Sequence, residues 1–198
     1  MVDSTGYSTK KYEPWVDIRV GKSSKRREFK KSHIIAGYWF KGILSHEITS
    51  RHRHDSPVFQ ILIEKLPEGN YENISGDTAY CSRNNCNIVS DRNMKPFFKP
   101  RKDTTCKARR SKPWNEMIRL WKDDKKLFDK EYHRRSIIES IISAQKQRLV
   151  HTLSSRKKDL QRKELRLKVI CYNLLVLNKV KASLILDEPP LLPVENAG

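Results

Sequence analysis

Residues 131–149 read EYHRRSIIESIISAQKQRL. Ile137, Ile138, Ile141 and Ile142 recur at helical spacing, and a single acid, Glu139, sits among them in basic surroundings. On a helix advancing about 100° per residue, Tyr132, Arg135, Glu139 and Lys146 fall at relative angles of about 0°, 300°, 340° and 320°. Ile138, Ile142 and Leu149 fall at about 240°, 280° and 260°. The polar stripe therefore borders the apolar face, whereas a solvated face would stand opposite it. A Tyr, an Arg, a Glu and a Lys held beside a core can line a cleft and meet a charged ligand there. Plainer readings stand beside this one: Glu139 as a surface acid, and Arg135 paired with Glu131 or Glu139 at helical spacing.

Working outward, the chain beyond residue 112 is helical in pattern. WNEMIRLWKDDKKLF (114–128) reads as one segment, EYHRRSIIESIISAQKQRLV (131–150) as a second and DLQRKELRLKVICYNLLVLNKV (159–180) as a third. The N-terminal half alternates short β-like runs with turns. FKKSHIIAGYWF (29–40) and GILSHEIT (42–49) flank Lys41-Gly42 and predict a hairpin. Asp55-Ser56-Pro57 predicts a helix start with a capping residue, followed by apolar positions through Leu66. ENISGDTAY (72–80) predicts a short strand ending in a turn, SRNNCNIVSDRN (82–93) a weak helix, and MKPFFKPRK (94–102) an extended segment limited by its prolines. Three strands, a helix, a strand, a helix and a strand, then helices, predict an α/β mixed sheet with helices packed on it. One domain is expected over residues 1–183, with a proline-rich flexible tail at 184–198.

The chain has 198 residues, with 41 Lys+Arg against 23 Asp+Glu and a formal charge of +18. That excess favours a polyanionic partner, most simply nucleic acid, with an anionic membrane surface as the other candidate. GKSSKRREFKK (21–31), which ends in Lys30 and Lys31, is either a solvated loop or a phosphate-contacting run. The densest apolar run, VICYNLLVL (169–177), is far shorter than the roughly 20 residues of a membrane span. The first residues, MVDSTGYSTKK, hold no apolar signal-peptide core, so a cytoplasmic protein is expected. A zinc site from Cys81, Cys86 and the His52/His54 pair lacks the paired spacing such sites use.

Two further acids stand in suggestive places: Asp3 in VDSTGY, after what reads as the last residues of a strand, and Asp77 in ISGDTAY, at the end of the strand beyond the first helix. Each also reads as a turn or capping acid. Together with Glu139 they carry a resemblance. Tyr132, Arg135, Glu139 and Lys146 meet in full the spacing Tyr-x2-Arg-x3-Glu-x6-Lys. This resembles the signature of DDE-type insertion-sequence transposases. VDSTGY and GDTAYCS are similar to that family's first and second aspartate motifs, in the right order, and the resemblance runs from Asp3 to about Leu177.

The resemblance implies an RNase H-like core of five strands flanked by helices, with additional C-terminal helices. It implies that Asp3, Asp77 and Glu139 are catalytic and together bind two Mg²⁺ (or Mn²⁺) ions, as suits hard oxygen ligands. It implies metal-dependent cleavage and strand transfer at transposon ends, with transposon-end and target DNA as partners, a homodimer on DNA as one assembly, and a nucleoid-associated prokaryotic setting. Tyr132, Arg135 and Lys146 would contact DNA, Lys30 and Lys31 would join them, and His33, at the family's Lys-x-His position, would neighbour the site. Only Met1 and Val2 precede Asp3. The expectation is therefore an N-terminally truncated catalytic domain whose first strand is too short, with inactivity of the isolated chain as the hypothesis. A non-catalytic DNA-binding remnant and another RNase H-like nuclease are the alternatives.

Overall fold

The structure is a computed structural model that describes residues 1–9, 29–106 and 109–185. Most of the basic run at 21–31 and nearly all of the proline-rich tail lie outside the described residues. Five strands form one sheet: β1 (Val2–Ser8), β2 (Phe29–Ala36), β3 (Ile43–Ser50), β4 (Asn73–Gly76) and β5 (Lys95–Phe98), in the order β3-β2-β1-β4-β5. β1, β2 and β3 pair antiparallel, and β4 runs parallel to both β1 and β5. Among the described residues six α-helices flank the sheet: α1 (Ser56–Glu64), α2 (Arg83–Asp91), α3 (Lys112–Asp123), α4 (Lys125–His133), α5 (Ser136–Leu149) and α6 (Lys158–Ile185). This mixed sheet flanked by helices is the RNase H-like α/β arrangement expected from the sequence, with the predicted order of strands and helices.

The pleat of the sheet sends alternate side chains to different cores. Val2 and Ile35 join a cluster with Val58, Phe59 and Leu62 of α1, Ile118 of α3 and Phe98 of β5. Met1, Ile34 and Ala36 join a second cluster with Ile137, Ile138 and Ile141 of α5 and Tyr172 of α6. Each fully buried isoleucine contributes about 1.5–3 kcal/mol. Ile137, Ile138 and Ile141 therefore anchor α5 firmly against β1 and β2.

Three boundaries differ from the sequence reading. Residues 114–128 are not one helix: Asp124 leaves helical geometry and its Oδ1 accepts the Leu127 N–H at 3.0 Å, ending α3 and capping α4. Residues 131–150 are not one helix either. α4 ends at His133, and tight bonds from Arg135 N–H to Tyr132 O (2.9 Å) and from Ile138 N–H to Arg135 O (3.0 Å) turn the chain into α5. Tyr132 and Glu139 thus belong to consecutive helices. Asp3 does not follow a strand. It is the second residue of a seven-residue strand that β2 pairs along its whole length.

The long helix α6 packs on the same side of the sheet as α5 and secures its end. Its Lys168 ammonium donates to the carbonyls of Leu149, Val150 (2.8 Å) and Thr152 (3.1 Å), where the chain leaves α5 through Val150 at φ 63°. The Asn173 amide bonds both the N–H (2.9 Å) and the carbonyl (2.8 Å) of Ile43, satisfying backbone groups of the edge strand β3.

Candidate active site

Asp3 and Asp77 are brought together by the sheet. β1 and β4 meet at the parallel pair Val2 and Gly76, and each acid is the next residue along its chain. A Cβ at position 76 would stand 2.7 Å from Val2 Cγ1 and 3.1 Å from Phe98 Cδ1, so the close approach of β4 to β1 at this point needs glycine. Asp77 then opens the short 3₁₀ turn Thr78–Tyr80 and accepts the Thr78 N–H at 2.6 Å. Asp3 Oδ1 accepts the Ser4 N–H at 2.8 Å.

Glu139 lies in the first turn of α5, and Arg135 occupies that helix's N-cap position. The Arg135 guanidinium reaches both sides of the cleft, with Nη2 3.6 Å from Asp3 Oδ2 and Nη1 3.1 Å from Glu139 Oε1. Asp3 is 18% exposed and Glu139 57%, so one acid is fixed in the sheet while the other stands on a solvated helix turn. Burial raises the pKa of Asp3. The Ser4 N–H and Arg135 act against that shift, and the negative charges of Asp77 and Glu139 add to it. Burial opposes the charge on Arg135, yet Asp3, Tyr132, Asp77 and Glu139 outweigh it and raise its pKa. Asp3, Asp77, Glu139, Arg135 and Tyr132 therefore share one electrostatic neighbourhood. Among the described residues no three His, Cys, Asp or Glu side chains are already drawn together as a metal cage. The guanidinium is the cation between the acids in this arrangement.

The other residues singled out in the sequence divide. Tyr132 is half-buried, stacked on Phe128 at 6.1 Å, and its phenol is pushed to higher pKa by burial first, with Arg135 opposing the shift and Asp77 and Glu139 adding to it. Lys146, two turns beyond Glu139, donates to Thr5 Oγ1 at 2.5 Å and lies over the Tyr7 ring at 5.4 Å. It stands on the Asp3 side of β1, farther along the strand. Lys30 is half-buried on β2 opposite Tyr7. Lys31 is engaged in an ion pair with Asp55, and His33, fully buried, faces the same carboxylate at 3.4 Å. Arg134 turns away from the acids: it donates to Glu131 at 2.8 Å and lies 5.1 Å over the Tyr38 ring.

Sequence reasoning missed two residues. Asp55 reads as a helix cap, and it does occupy the N-cap position of α1, but its side chain makes no capping bond and reaches the sheet instead. Gln145 of α5, which the sequence reading did not single out, is buried and accepts the Tyr7 hydroxyl at 2.8 Å. Its place in the last turns of α5, on the face that carries Ile138 and Ile141, was the available signal for Gln145. Nothing local signals the partners of Asp55 (His33, Lys31 and Ser4), which lie 22, 24 and 51 residues back in the chain.

Comparison with known proteins bears on the whole constellation. No curated protein and no solved structure matches the chain. The family model described as Transposase DDE domain matches residues 1–174, a span that holds the entire sheet, both aspartates and the helix bearing Glu139. On that match over most of its length, the chain belongs to the Transposase DDE domain family.

Proposed function

We propose that this chain cleaves DNA phosphodiesters and transfers the strand at transposon ends, using Asp3, Asp77 and Glu139 as the ligands of two divalent cations, Mg²⁺ or Mn²⁺. The observation that carries this reading is the single guanidinium of Arg135 spanning Asp3 and Glu139, with Asp77 in the same field. Three acids from two strand ends and a helix, in the field of one guanidinium, would supply hard oxygen donors of the kind these ions take. When bound, such ions supply an activated water or 3′-hydroxyl and a stabilised leaving oxygen.

The chain's own groups have separable parts. Asp3 is held by the Ser4 N–H and is the rigid ligand, while Glu139, on an exposed helix turn, has the freedom to adjust. Arg135 pairs with Asp3 and Glu139, and its planar fork fits a phosphate bidentately once the carboxylates are otherwise engaged. Tyr132 lines the same cleft. Lys146 and Lys30 extend positive charge along β1 and β2, on the path of a DNA backbone. Lys31 serves the sheet through Asp55, so its part in DNA contact is the weaker of the two lysines.

Supercoiled plasmid incubated with the protein and Mn²⁺ tests this. The expected result is metal-dependent nicking that Glu139→Gln abolishes while the circular dichroism spectrum is unchanged. Salt-sensitive DNA binding with no divalent-dependent step, in the wild type and in Glu139→Gln alike, would instead establish a DNA-binding remnant.

A further inference from the structure

Behind β1, on the side away from α5, lies a second polar cluster that the three-acid site does not use. Asp55 stands at the N-terminus of α1 and is 14% exposed. An aspartate at this position usually accepts a backbone N–H of its own helix, yet here the carboxylate is turned to the sheet. Its Oδ2 accepts the Ser4 hydroxyl at 3.2 Å, and its Oδ1 carries the Lys31 ammonium and faces His33 Nδ1 at 3.4 Å. His33 Nε2 is in turn 2.8 Å from Thr49 Oγ1 on β3. One carboxylate thereby ties α1 to β1 and β2.

Ser4 connects this cluster to the reacting side. Its hydroxyl points to Asp55 on one face of the strand, and its peptide N–H holds the Asp3 carboxylate on the other. The buried Tyr80 phenol, three residues after Asp77, lies within the same field: burial raises its pKa first, and the charges of Asp55, Asp3 and Asp77 raise it further. A charged acceptor buried with a lysine partner is strongly oriented, because leaving either charge alone there is costly.

We infer that Asp55 is a positioning residue for Asp3. Its carboxylate, paired with the Lys31 ammonium and packed beside the buried His33 imidazole, holds the Ser4 hydroxyl and so fixes the peptide N–H that orients the Asp3 carboxylate. The inference rests on the reading of Asp3 as a cation ligand. It goes beyond that reading by naming a residue on the opposite face of the sheet that sets the ligand's geometry.

The test uses the full chain and Mn²⁺ as the probe, with two readouts: Mn²⁺ affinity by calorimetric titration, and amide exchange of Ser4 by NMR. Groups that orient a ligand typically change metal affinity about 10–100-fold when removed. Asp55→Ala is expected to weaken Mn²⁺ binding about tenfold and to speed Ser4 amide exchange by a similar factor. Asp55→Asn keeps an acceptor for the Ser4 hydroxyl but loses the Lys31 charge, and should fall between Asp55→Ala and the wild type. Ser4→Ala keeps the N–H but cuts the link, so it should weaken Mn²⁺ binding as Asp55→Ala does, and the double variant should be no worse than either single. Val58→Ala, a buried residue of the same helix, supplies matched destabilisation and should leave Mn²⁺ affinity unchanged. Additive effects of Ser4→Ala and Asp55→Ala, or an Asp55→Ala protein that melts earlier yet binds Mn²⁺ within twofold of the wild type, would overturn the inference. Wild-type protein that binds no Mn²⁺ would instead overturn the cation-site reading, and Ser4 exchange would still decide for or against the clamp.

Discussion

Replacing Arg135 by Gln sets protein stability against cation affinity, and the two should move in opposite directions. Arg135 makes ion pairs of 3.6 Å to Asp3 and 3.1 Å to Glu139. At an effective dielectric of about 20, each is worth about 5 kcal/mol of gross attraction. Most of the Glu139 share is lost to screening, since that acid is 57% exposed. The Asp3 share survives better, because Asp3 and Arg135 are 18% and 19% exposed. Allowing for desolvation of the guanidinium, a net loss of about 2 kcal/mol is expected, which for a domain of this size lowers the melting temperature by about 4–8 °C. Cation affinity goes the other way. Deleting a unit positive charge that neighbours the acids which would hold a divalent ion removes repulsion of about 1–2 kcal/mol even at the dielectric of water, about tenfold in affinity. Melting curves with and without Mn²⁺, joined to a calorimetric titration, give both numbers. The variant should melt earlier than the wild type without Mn²⁺, bind Mn²⁺ more tightly, and recover more stability on adding it. An Arg135→Gln protein that binds Mn²⁺ more weakly than the wild type, or whose melting temperature does not change, refutes the picture of one guanidinium standing in for cations among three acids.

Other outcomes follow from the same structure. Lys168→Met strips three carbonyls of their shared ammonium at the end of α5 and should cost about 2–4 kcal/mol in urea unfolding, with Lys168→Arg losing less; equal stability of the Met variant would show that water satisfies those carbonyls as well. Burial lowers the pKa of His46 from 6.5 to about 4. The unfolded chain therefore takes up a proton that the folded one refuses, and this contribution to stability, complete above pH 6.5, is lost as pH falls toward 4. Urea melts at pH 7 and pH 4.5 should differ by about 2–3 kcal/mol from this group, and His46→Gln should flatten that dependence. Gly76→Ala places a methyl 2.7 Å from Val2 Cγ1, so it should push β4 from β1 and cost about 1–3 kcal/mol; exchange protection of the Val2 and Asp77 amides in the variant matching the wild type would contradict this. Duplex DNA affinity should fall steeply between 50 and 200 mM NaCl, and Lys146→Met should reduce the salt slope by about one unit without changing Mn²⁺ affinity.

Much of this protein is legible along the chain because its signals are local. Aromatic and β-branched residues in FKKSHIIAGYWF and GILSHEIT, on either side of Lys41-Gly42, are enough for a hairpin, and the isoleucines at 137, 138 and 141 are enough for a helix buried on one side. The order of these elements predicts the mixed sheet. The resemblance to the transposase motifs singles out Asp3, Asp77, Glu139 and Arg135, where spacing by itself leaves turn, cap and surface readings open, and helical periodicity places Arg135 within reach of Glu139, 3.1 Å away in the structure. Periodicity was less able to show the break at Arg134 and Arg135. Both residues keep helical backbone angles, and the turn is made by a change in hydrogen-bond partner that leaves no trace in polarity.

Tertiary structure alone decided what the acids face. Arg135 could pair within its helix by spacing, but its second bond, to Asp3, crosses from α5 to a strand at the far end of the chain. Asp55 carries every local mark of a helix cap, yet the sheet offers it a lysine, a histidine and a serine hydroxyl, and a charge-assisted network in a buried setting outweighs one backbone N–H that water can satisfy. The linear sequence determined which residues form strands and helices, because those choices rest on neighbours three or four positions away. Which carboxylate holds Ser4, and which cation sits between Asp3 and Glu139, depend on desolvation and on partners tens of residues distant, and those exist only once the sheet has closed.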